Sequence, residues 1–140
     1  MKSLIIHTDG GSRGNPGPAA CAFVFLDSDQ NVLDQASLYL GIATNNEAEY
    51  RGVILALEHL LQHQPQYSSF TTINFTLDSE LVVKQLLGQY KIKKPELQTL
   101  ATNIRQLLHQ LPQKITFTHV RRHLNHLPDT LLNQELDRHH

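Results

Sequence analysis

Residues 3–18 of this chain read SLIIHTDGGSRGNPGP, and this stretch carries most of the information about the fold. Its first seven residues are largely apolar or β-branched and predict a short β-strand over residues 3–9. The next ten residues, GGSRGNPGPA, contain four glycines and two prolines, which predicts a loop. Asp9 therefore ends a strand that we expect near the centre of a sheet. Because a carboxylate buried there is costly without a partner, its position favours a functional site.

Strand and helix patterns alternate through the rest of the chain. Residues 19–26 and 32–42 predict a β-hairpin, because the turn-forming sequence DSDQN separates them. The apolar spacing then changes to three and four residues, which predicts a helix capped by Thr44 or Asn45 and ending before Pro65. Two more predicted strands cover 71–77 and 114–120, and three more predicted helices cover 79–87, 97–111 and 129–137.

The order of these elements predicts an α/β fold. We expect one mixed sheet with helices on its faces, antiparallel in its first three strands and parallel at its later crossovers. A length of 140 residues is that of one ordinary domain, so we assign residues 1–140 to a single domain.

Composition excludes several classes of protein. Cys21 is the only cysteine, which rules out an intrachain disulfide framework and a thiolate zinc cage and fits a reducing compartment. The longest apolar run, residues 19–26, is far shorter than the roughly 20 residues that cross a bilayer. We therefore expect a cytoplasmic protein without a membrane partner.

Charge is distributed unevenly along a chain whose formal net charge is only −1. Residues 84–122 contain eight basic residues and one acidic residue, whereas the remainder contains four basic and twelve acidic residues. Such a division is compatible with a cation-binding site beside a phosphate-binding surface. A mixed surface without a special partner is the alternative.

Four acidic residues occupy positions at the predicted ends of strands and starts of helices: Asp9, Glu49, Asp78 and Asp129. Ligands of open α/β sheets collect at the carboxyl ends of strands, so Asp9 and Asp78 would lie side by side on adjacent strands. Close carboxylates repel each other unless they are protonated or bind a cation, and hard divalent ions prefer oxygen ligands. This set therefore indicates magnesium or manganese, not zinc.

Each acid except Asp9 also has a simpler structural explanation. Asp78 and Asp129 precede helical patterns and are possible N-caps, while Glu49, in a predicted first turn, would favour the helix dipole. Neither explanation accounts for Asp9.

Four segments, in this order, resemble those of the type 1 ribonucleases H. They are TDGGSRGNPGP at 8–18, TNNEAEY at 44–50, LDS at 77–79 and NHLPD at 125–129. Each is weak alone, but together they span the whole chain. The resemblance implies the ribonuclease H-like fold, a five-stranded mixed sheet of strand order 3-2-1-4-5 flanked by helices.

The resemblance also implies an activity and its cofactor. Enzymes of this family are endonucleases that hydrolyse the RNA strand of an RNA/DNA hybrid and leave 5′-phosphate and 3′-hydroxyl ends. Two Mg²⁺ ions, with Mn²⁺ as a substitute, would serve the reaction. By resemblance, Asp9 is shared by both ions, Asp129 holds the ion that generates the nucleophile, and Glu49 and Asp78 hold the ion on the leaving-group side. The family spacing selects Glu49 over Glu47. A monomer is the simplest expectation.

The same resemblance implies contacts to the hybrid. The glycine-rich turn and the start of the first helix would supply them, through Gly10, Gly11, Ser12, Asn15, Thr44, Asn45 and Asn46. Telling RNA from DNA requires contacts to 2′-hydroxyl groups, which small polar side chains and backbone groups can make.

The chain departs from the family pattern in the segment that precedes the third predicted helix. Many family members insert a basic, aromatic-bearing helix and loop that grips the hybrid, but here only residues 88–96 separate the two helices. Tyr90, Lys91, Lys93 and Lys94 would replace this handle weakly. We therefore expect reduced grip on the substrate.

Two further departures concern single side chains. Some family members place a mobile histidine shortly before the last acidic ligand, where it aids proton transfer or product release. His123 is the candidate here, and His119, on a predicted strand, is the alternative. Glu80 replaces an uncharged residue after Asp78-Ser79, which places one hybrid contact in doubt.

Two other functions compete with hybrid cleavage. A non-catalytic module that binds hybrids or duplexes predicts loss of a metal ligand, but all four acids are present. A related nuclease acting on double-stranded RNA or structured DNA is the second alternative, against which the glycine and asparagine residues of the groove argue.

Overall fold

The computed structural model describes residues 2–139, so Met1 and His140 of the expected 1–140 domain lie outside the described residues. The strands are β1 (Ser3–Ser12), β2 (Gly17–Leu26), β3 (Val32–Ala43), β4 (Thr72–Leu77) and β5 (Lys114–His119). The helices are α1 (Asn45–Gln62), α2 (Gln64–Tyr67), α3 (Glu80–Leu86), α4 (Pro95–Leu108) and α5 (His126–Arg138), with a 3₁₀ turn at Arg122–Leu124. The sheet order β3-β2-β1-β4-β5 confirms the predicted fold class.

Several boundaries differ from those predicted by local pattern. β1 continues to Ser12, because Gly10 to Ser12 pair with the start of β2 in spite of their turn-like composition. α5 begins at His126, three residues before the predicted start. α4 ends at Leu108, ahead of Pro112, so the proline is not what ends this helix. The end of β1 is decided by pairing with a strand distant in sequence. The two helix ends differ by three residues from those predicted, which is close to the usual uncertainty of helix boundaries.

The two faces of the sheet are covered by different helices. The main core lies between the sheet and α1, α3 and α4, and it includes Ile6 of β1, Phe23 of β2 and Phe75 of β4. α5 covers the opposite face, where Leu132 and Leu136 pack against small alanines of β2. Each fully buried Leu, Ile or Phe stabilises the fold by about 2 kcal/mol. No helix within residues 2–139 has both the length and the apolar character needed to cross a bilayer.

Two glycines bring α1 unusually close to β1. A Cβ atom on Gly10 would lie 2.1 Å from the backbone oxygen of Ala48, and one on Gly52 would lie 2.9 Å from the backbone oxygen of Asp9. Only residues without a Cβ allow the helix backbone to rest on the strand backbone in this way. This close packing brings Glu49 of α1 beside Asp9 of β1.

Candidate functional site

Three of the four predicted acids converge where β4 ends, beside Asp9, which lies within β1 three residues before its end. These strands are parallel neighbours, as predicted, and His7 pairs with Thr76, so Asp9 and Asp78 lie two residues further along each strand. Glu49 reaches the same point from α1. Each of the three carboxyl groups offers an oxygen within 4.8 Å of the others. The sequence-based expectation that Asp9 and Asp78 lie side by side is therefore met by the strand register.

Asp129 completes the set from the opposite side. It lies in the first turn of α5 and is half-buried. Together with Asp9, Glu49 and Arg122 it lines a cleft of about 200 Å³. Asn133 donates from its Nδ2 to the Asp129 backbone oxygen at 2.9 Å and to its Oδ1 at 3.3 Å. Asp9, Glu49 and Asp129 thus line one cleft, and Asp78 lies beside Asp9 and Glu49.

The helix ends do not need these acids. Ser79 caps α3, because its hydroxyl accepts a hydrogen bond from the Val82 N–H. Thr44 caps α1 in a capping box with Glu47, so Glu49 lies beyond the first turn in which it was predicted. The N-cap residue of α5 is Asn125, four positions before Asp129. Helix capping therefore explains none of the three acids with an alternative structural role.

Burial and mutual repulsion raise the pKa values of the central carboxyl groups. Burial, and then the charge of Asp78, raises the pKa of Asp9 to about 7, although the Gly10 N–H donates to Asp9 Oδ1 at 2.9 Å. Burial, followed by the charges of Asp9 and Asp78, raises the pKa of Glu49 well above its usual range. The site without a cation therefore retains protons that a bound divalent ion would displace.

Two side chains of the segment that follows β5 influence the pKa of Asp78. Burial raises the pKa of Asp78, while the positive charge of Arg122 and a hydrogen bond from the Asn125 side chain act in the opposite direction. From sequence, Arg122 counted only as part of the basic half of the chain, and Asn125 had no separate role. The signal for Arg122 was its position seven residues before Asp129, in a loop that returns to the site.

The donor set fits a divalent cation with a preference for oxygen. Among the residues that the structure describes, Glu49 Oε2 and Asp78 Oδ2 are buried side-chain oxygens without a hydrogen-bond partner. Such orphaned oxygens are unfavourable unless a cation or water satisfies them. Magnesium and manganese favour carboxylate oxygens. Burial raises the pKa of the Cys21 thiol to about 12, so this group stays protonated and does not serve as a soft ligand.

The predicted substrate residues form a polar network beside the cleft. Asn45 Oδ1 accepts hydrogen bonds from the backbone N–H of Ser12 at 2.9 Å and from its hydroxyl at 3.1 Å. Asn15 Oδ1 accepts from the Asn45 backbone N–H at 2.9 Å. These bonds tie the glycine-rich loop to the start of α1, so both segments present one surface.

The remaining predicted contact residues differ in exposure. Gly10 is buried against α1, Gly11 is partly exposed and both line the cleft. The Thr44 hydroxyl donates to Glu47 Oε1 at 3.0 Å, and Asn46 is half-buried. Their contacts to a nucleic acid remain predictions.

The two candidate histidines occupy different places. His123 is exposed on the 3₁₀ turn, beside Arg122. His119 ends β5 and is also exposed, and its charge contributes to lowering the pKa of Asp78. His119 therefore lies near Asp78, and the role of His123 remains a prediction.

Segment 88–94 forms a basic loop around a shallow groove, in place of an inserted handle. Tyr90 packs beneath Lys84, whose Nζ lies 5.0 Å from the ring centroid. Lys84 also pairs with Glu80 at 2.8 Å, so the acid that departs from the family pattern is neutralised by its own helix. Lys91 and Arg105 line the groove.

Comparison with known proteins gives a consistent result. Residues 7–134 match the family described as reverse transcriptase-like. The chain is 39% identical over 131 residues to ribonuclease HI of Halobacterium salinarum, covering 94% of this chain and 63% of that protein. It is 38% identical over 135 residues to a bifunctional protein of Mycobacterium tuberculosis, covering 96% of this chain and 35% of that protein. The chain thus spans about a third of the mycobacterial relative.

Solved structures are similar over almost the whole chain. A ribonuclease H1 isolated from compost by a metagenomic approach has a TM-score of 0.92 and 38% identity, covering 99% of this chain and 98% of that chain. The structure of the compost ribonuclease H1 in complex with an RNA/DNA hybrid has a TM-score of 0.90, covering 96% of this chain and 97% of that chain.

Proposed function

The chain belongs to the type 1 ribonuclease H family, and from this premise we propose that it is an endonuclease that hydrolyses the RNA strand of RNA/DNA hybrids. The products would carry 5′-phosphate and 3′-hydroxyl ends. We further propose that Mg²⁺ is the cofactor, with two ions at each site, and that Mn²⁺ can replace it.

One observation carries this proposal. Asp9, Glu49 and Asp78 offer oxygens within 4.8 Å of one another, and two of these carboxyl groups contain buried oxygens without a partner among the described residues. A fold does not require such a cluster, because three close acids, two of them buried, destabilise the protein when they are ionised. A cation site explains the arrangement, and the compost relative that binds a hybrid has the same fold.

The acidic residues would hold different cation positions. Asp9 offers an oxygen within 4.8 Å of oxygens of both Glu49 and Asp78 and would serve both cation positions, whereas Asp129, which lines the same cleft as Asp9, would serve the position that activates water. When bound, two divalent ions lower the pKa of the attacking water and stabilise charge on the leaving oxygen. Because burial leaves these carboxylates few alternative partners, they would hold the cation positions rigidly.

Hybrid recognition would rely on the network around the glycine-rich loop. Asn45 is hydrogen-bonded to both Ser12 and Asn15, and all three residues are exposed or partly exposed. Groups of this kind can donate to and accept from 2′-hydroxyls, which only the RNA strand carries. The bonds between them orient these groups before the substrate arrives, which reduces the entropy lost on binding.

The basic loop would contribute phosphate contacts of lower strength. Lys91 and Arg105 line its groove, and Lys93 and Lys94 are exposed on the same segment. Contacts of this type add affinity without sequence preference and weaken as salt rises. We therefore propose a hybrid nuclease with a weak grip that acts as a monomer in the cytoplasm.

A cleavage assay with three substrates tests the proposal. The same labelled RNA strand is supplied free, paired with RNA and paired with DNA, in Mg²⁺, Mn²⁺ or chelator, with wild type and Asp9→Asn. We expect cleavage only of the hybrid, only with a metal, and not by Asp9→Asn. Equal cleavage of RNA/RNA would replace the proposal with a broader nuclease, and binding without cleavage by both proteins would replace it with a hybrid-binding module.

A further inference from the structure

His7 lies beside the carboxylate site without belonging to it. It precedes Asp9 by two residues on β1, so both side chains project from the same face of the sheet. His7 is half-buried, and its Nδ1 lies 2.8 Å from Oδ1 of Asn125, a residue that is fully buried. The ring of His7 on β1 is thus hydrogen-bonded to the N-cap residue of α5.

The hydrogen bonds of Asn125 define which atom of His7 carries a proton. Asn125 Nδ2 donates to the backbone oxygen of Thr8 at 2.8 Å. A carbonyl oxygen can only accept, so the nitrogen end of the amide faces β1. Oδ1 is then left to accept, which requires His7 to donate from Nδ1.

Asn125 joins α5 to the strand that carries Asp9. Its bond to Thr8 fixes it to β1 next to Asp9, and its own backbone leads into α5, which carries Asp129. A rotation of this one amide would loosen the start of α5 from β1. Its orientation therefore matters to the placement of Asp129 relative to Asp9.

We propose that His7 is a positioning residue for the cation site: by donating from Nδ1 to Asn125 it fixes the amide that aligns Asp129 with Asp9. This inference rests on the proposed function, because it assumes that the acids form a catalytic cation site. Removing the donor leaves a buried oxygen without a partner and allows the amide to shift. Outer partners of ligand residues typically affect metal affinity or activity by about 10-fold to 100-fold.

Two substitutions at His7 separate hydrogen bonding from shape. His7→Phe keeps a ring but removes the donor, whereas His7→Asn places an amide N–H close to the position of Nδ1. Ser3→Ala is the matched control, because it removes a hydrogen bond on the same strand face, between Ser3 Oγ and Thr72 Oγ1 at 2.7 Å, far from Asn125. The readouts are kcat and KM on the hybrid, Mn²⁺ affinity by calorimetry, thermal stability, and the ¹⁵N NMR spectrum of the His7 ring.

We expect His7→Phe to weaken Mn²⁺ binding and lower kcat by about tenfold while KM stays nearly constant, and His7→Asn to recover most of both. Ser3→Ala should change neither. The NMR spectrum of the wild type should show a proton on Nδ1. A purely structural role predicts that His7→Phe lowers thermal stability but leaves Mn²⁺ affinity and kcat unchanged, and that result would overturn the proposal.

The spectrum and the calorimetry do not depend on turnover. If no variant cleaves hybrids, the proposed function fails, but the Mn²⁺ affinities still decide whether His7 aligns the site. A wild-type Nδ1 without a proton overturns the inference even if the enzyme is fully active. This NMR test also remains decisive if His7→Phe does not fold, because it is made on the wild-type protein alone.

Discussion

Gly10 lies directly beneath the backbone carbonyl of Ala48, so closely that a Cβ atom on Gly10 would lie 2.1 Å from the Ala48 oxygen. Gly10 follows Asp9, and Ala48 precedes Glu49. The contact between these two backbones therefore sets the distance between two of the carboxyl groups. The site depends on this contact as much as on the acids themselves.

Gly10→Ala should separate α1 from β1. The added methyl group meets backbone atoms that cannot rotate away, and we expect a loss of about 3 kcal/mol in the free energy of unfolding. Glu49 would move from Asp9, so Mn²⁺ binding should weaken as well. Denaturant unfolding and calorimetry measure the two effects. Gly11→Ala is the control, because its nearest contact would be 3.8 Å away at a flexible leucine, and equal damage in both variants would contradict this explanation.

The stability of the metal-free protein should fall as pH rises from about 4 to 7. Burial raises the pKa of Asp9 from 3.8 to about 7, so in this range the folded state holds a proton that the unfolded chain has released. Stability from such a group is complete below the unfolded pKa and is lost as pH rises through the folded pKa. The loss attributable to Asp9 is about 4 kcal/mol, at roughly 1.4 kcal/mol per pKa unit.

Chemical denaturation in chelator across this pH range measures the slope, with Asp9→Asn as the reference. The variant lacks the titrating group and should give a flatter profile. Saturating Mg²⁺ should remove the decline in wild type, because the cation binds the ionised carboxylates. A wild-type profile parallel to that of Asp9→Asn would show that Asp9 does not carry the raised pKa.

The parts of the site that follow from strand topology could be predicted from sequence. Asp9 and Asp78 each lie near a strand end, and parallel neighbouring strands bring such ends together, so their proximity needed only the correct strand order. The sheet order itself followed from the resemblance and agreed with the pattern of strands and helices. Local turn composition, in contrast, gave the wrong end for β1, because the pairing of Gly11 with Ala20 overrides it.

The parts that depend on particular side-chain contacts could not be predicted. The bond between His7 and Asn125 joins residues 118 positions apart, and neither periodicity nor motif spacing encodes it. The approach of Arg122 to Asp78 depends on the path of the loop after β5. The choice between Glu47 and Glu49 came from resemblance alone, and the structure explains it, since Glu47 is engaged with Thr44.

Arg122→Ala should impair cleavage more than removal of a neighbouring charge. Arg122 lines the cleft with Asp9 and Glu49, its charge opposes the rise in the pKa of Asp78, and it would contact a phosphate bound in this cleft. We expect kcat/KM to fall by about a hundredfold, comparable to removal of a charged donor from an active site. Steady-state kinetics at fixed Mg²⁺ measures it. Arg121→Ala removes the same charge one residue away, and a similar decrease there would indicate general electrostatic attraction instead.

His123→Ala tests the proposed assistance to proton transfer. His123 lies on an exposed 3₁₀ turn near the cleft, where a side chain can reach the solvent and the product. We expect kcat to fall by about tenfold or more with little change in KM, and added imidazole to restore part of the activity. The exposed His109, at the end of α4, provides the control substitution. A fall in kcat in His119→Ala but not in His123→Ala would assign the role to the strand histidine.

Hybrid binding should depend strongly on salt and on the basic loop. Lys91, Lys93 and Lys94 are exposed on a segment that faces a groove, and each phosphate that they neutralise would release counterions. Replacing the three by alanine should weaken binding to a hybrid in chelator, and should reduce the slope of log affinity against log salt by about 0.9 for each phosphate that is no longer neutralised. Fluorescence anisotropy at several salt concentrations measures both. The exposed Lys2, which precedes β1 at the end of that strand opposite Asp9, provides the control, and Lys2→Ala should leave the slope unchanged. A triple variant with the wild-type slope would mean that the loop does not touch the hybrid.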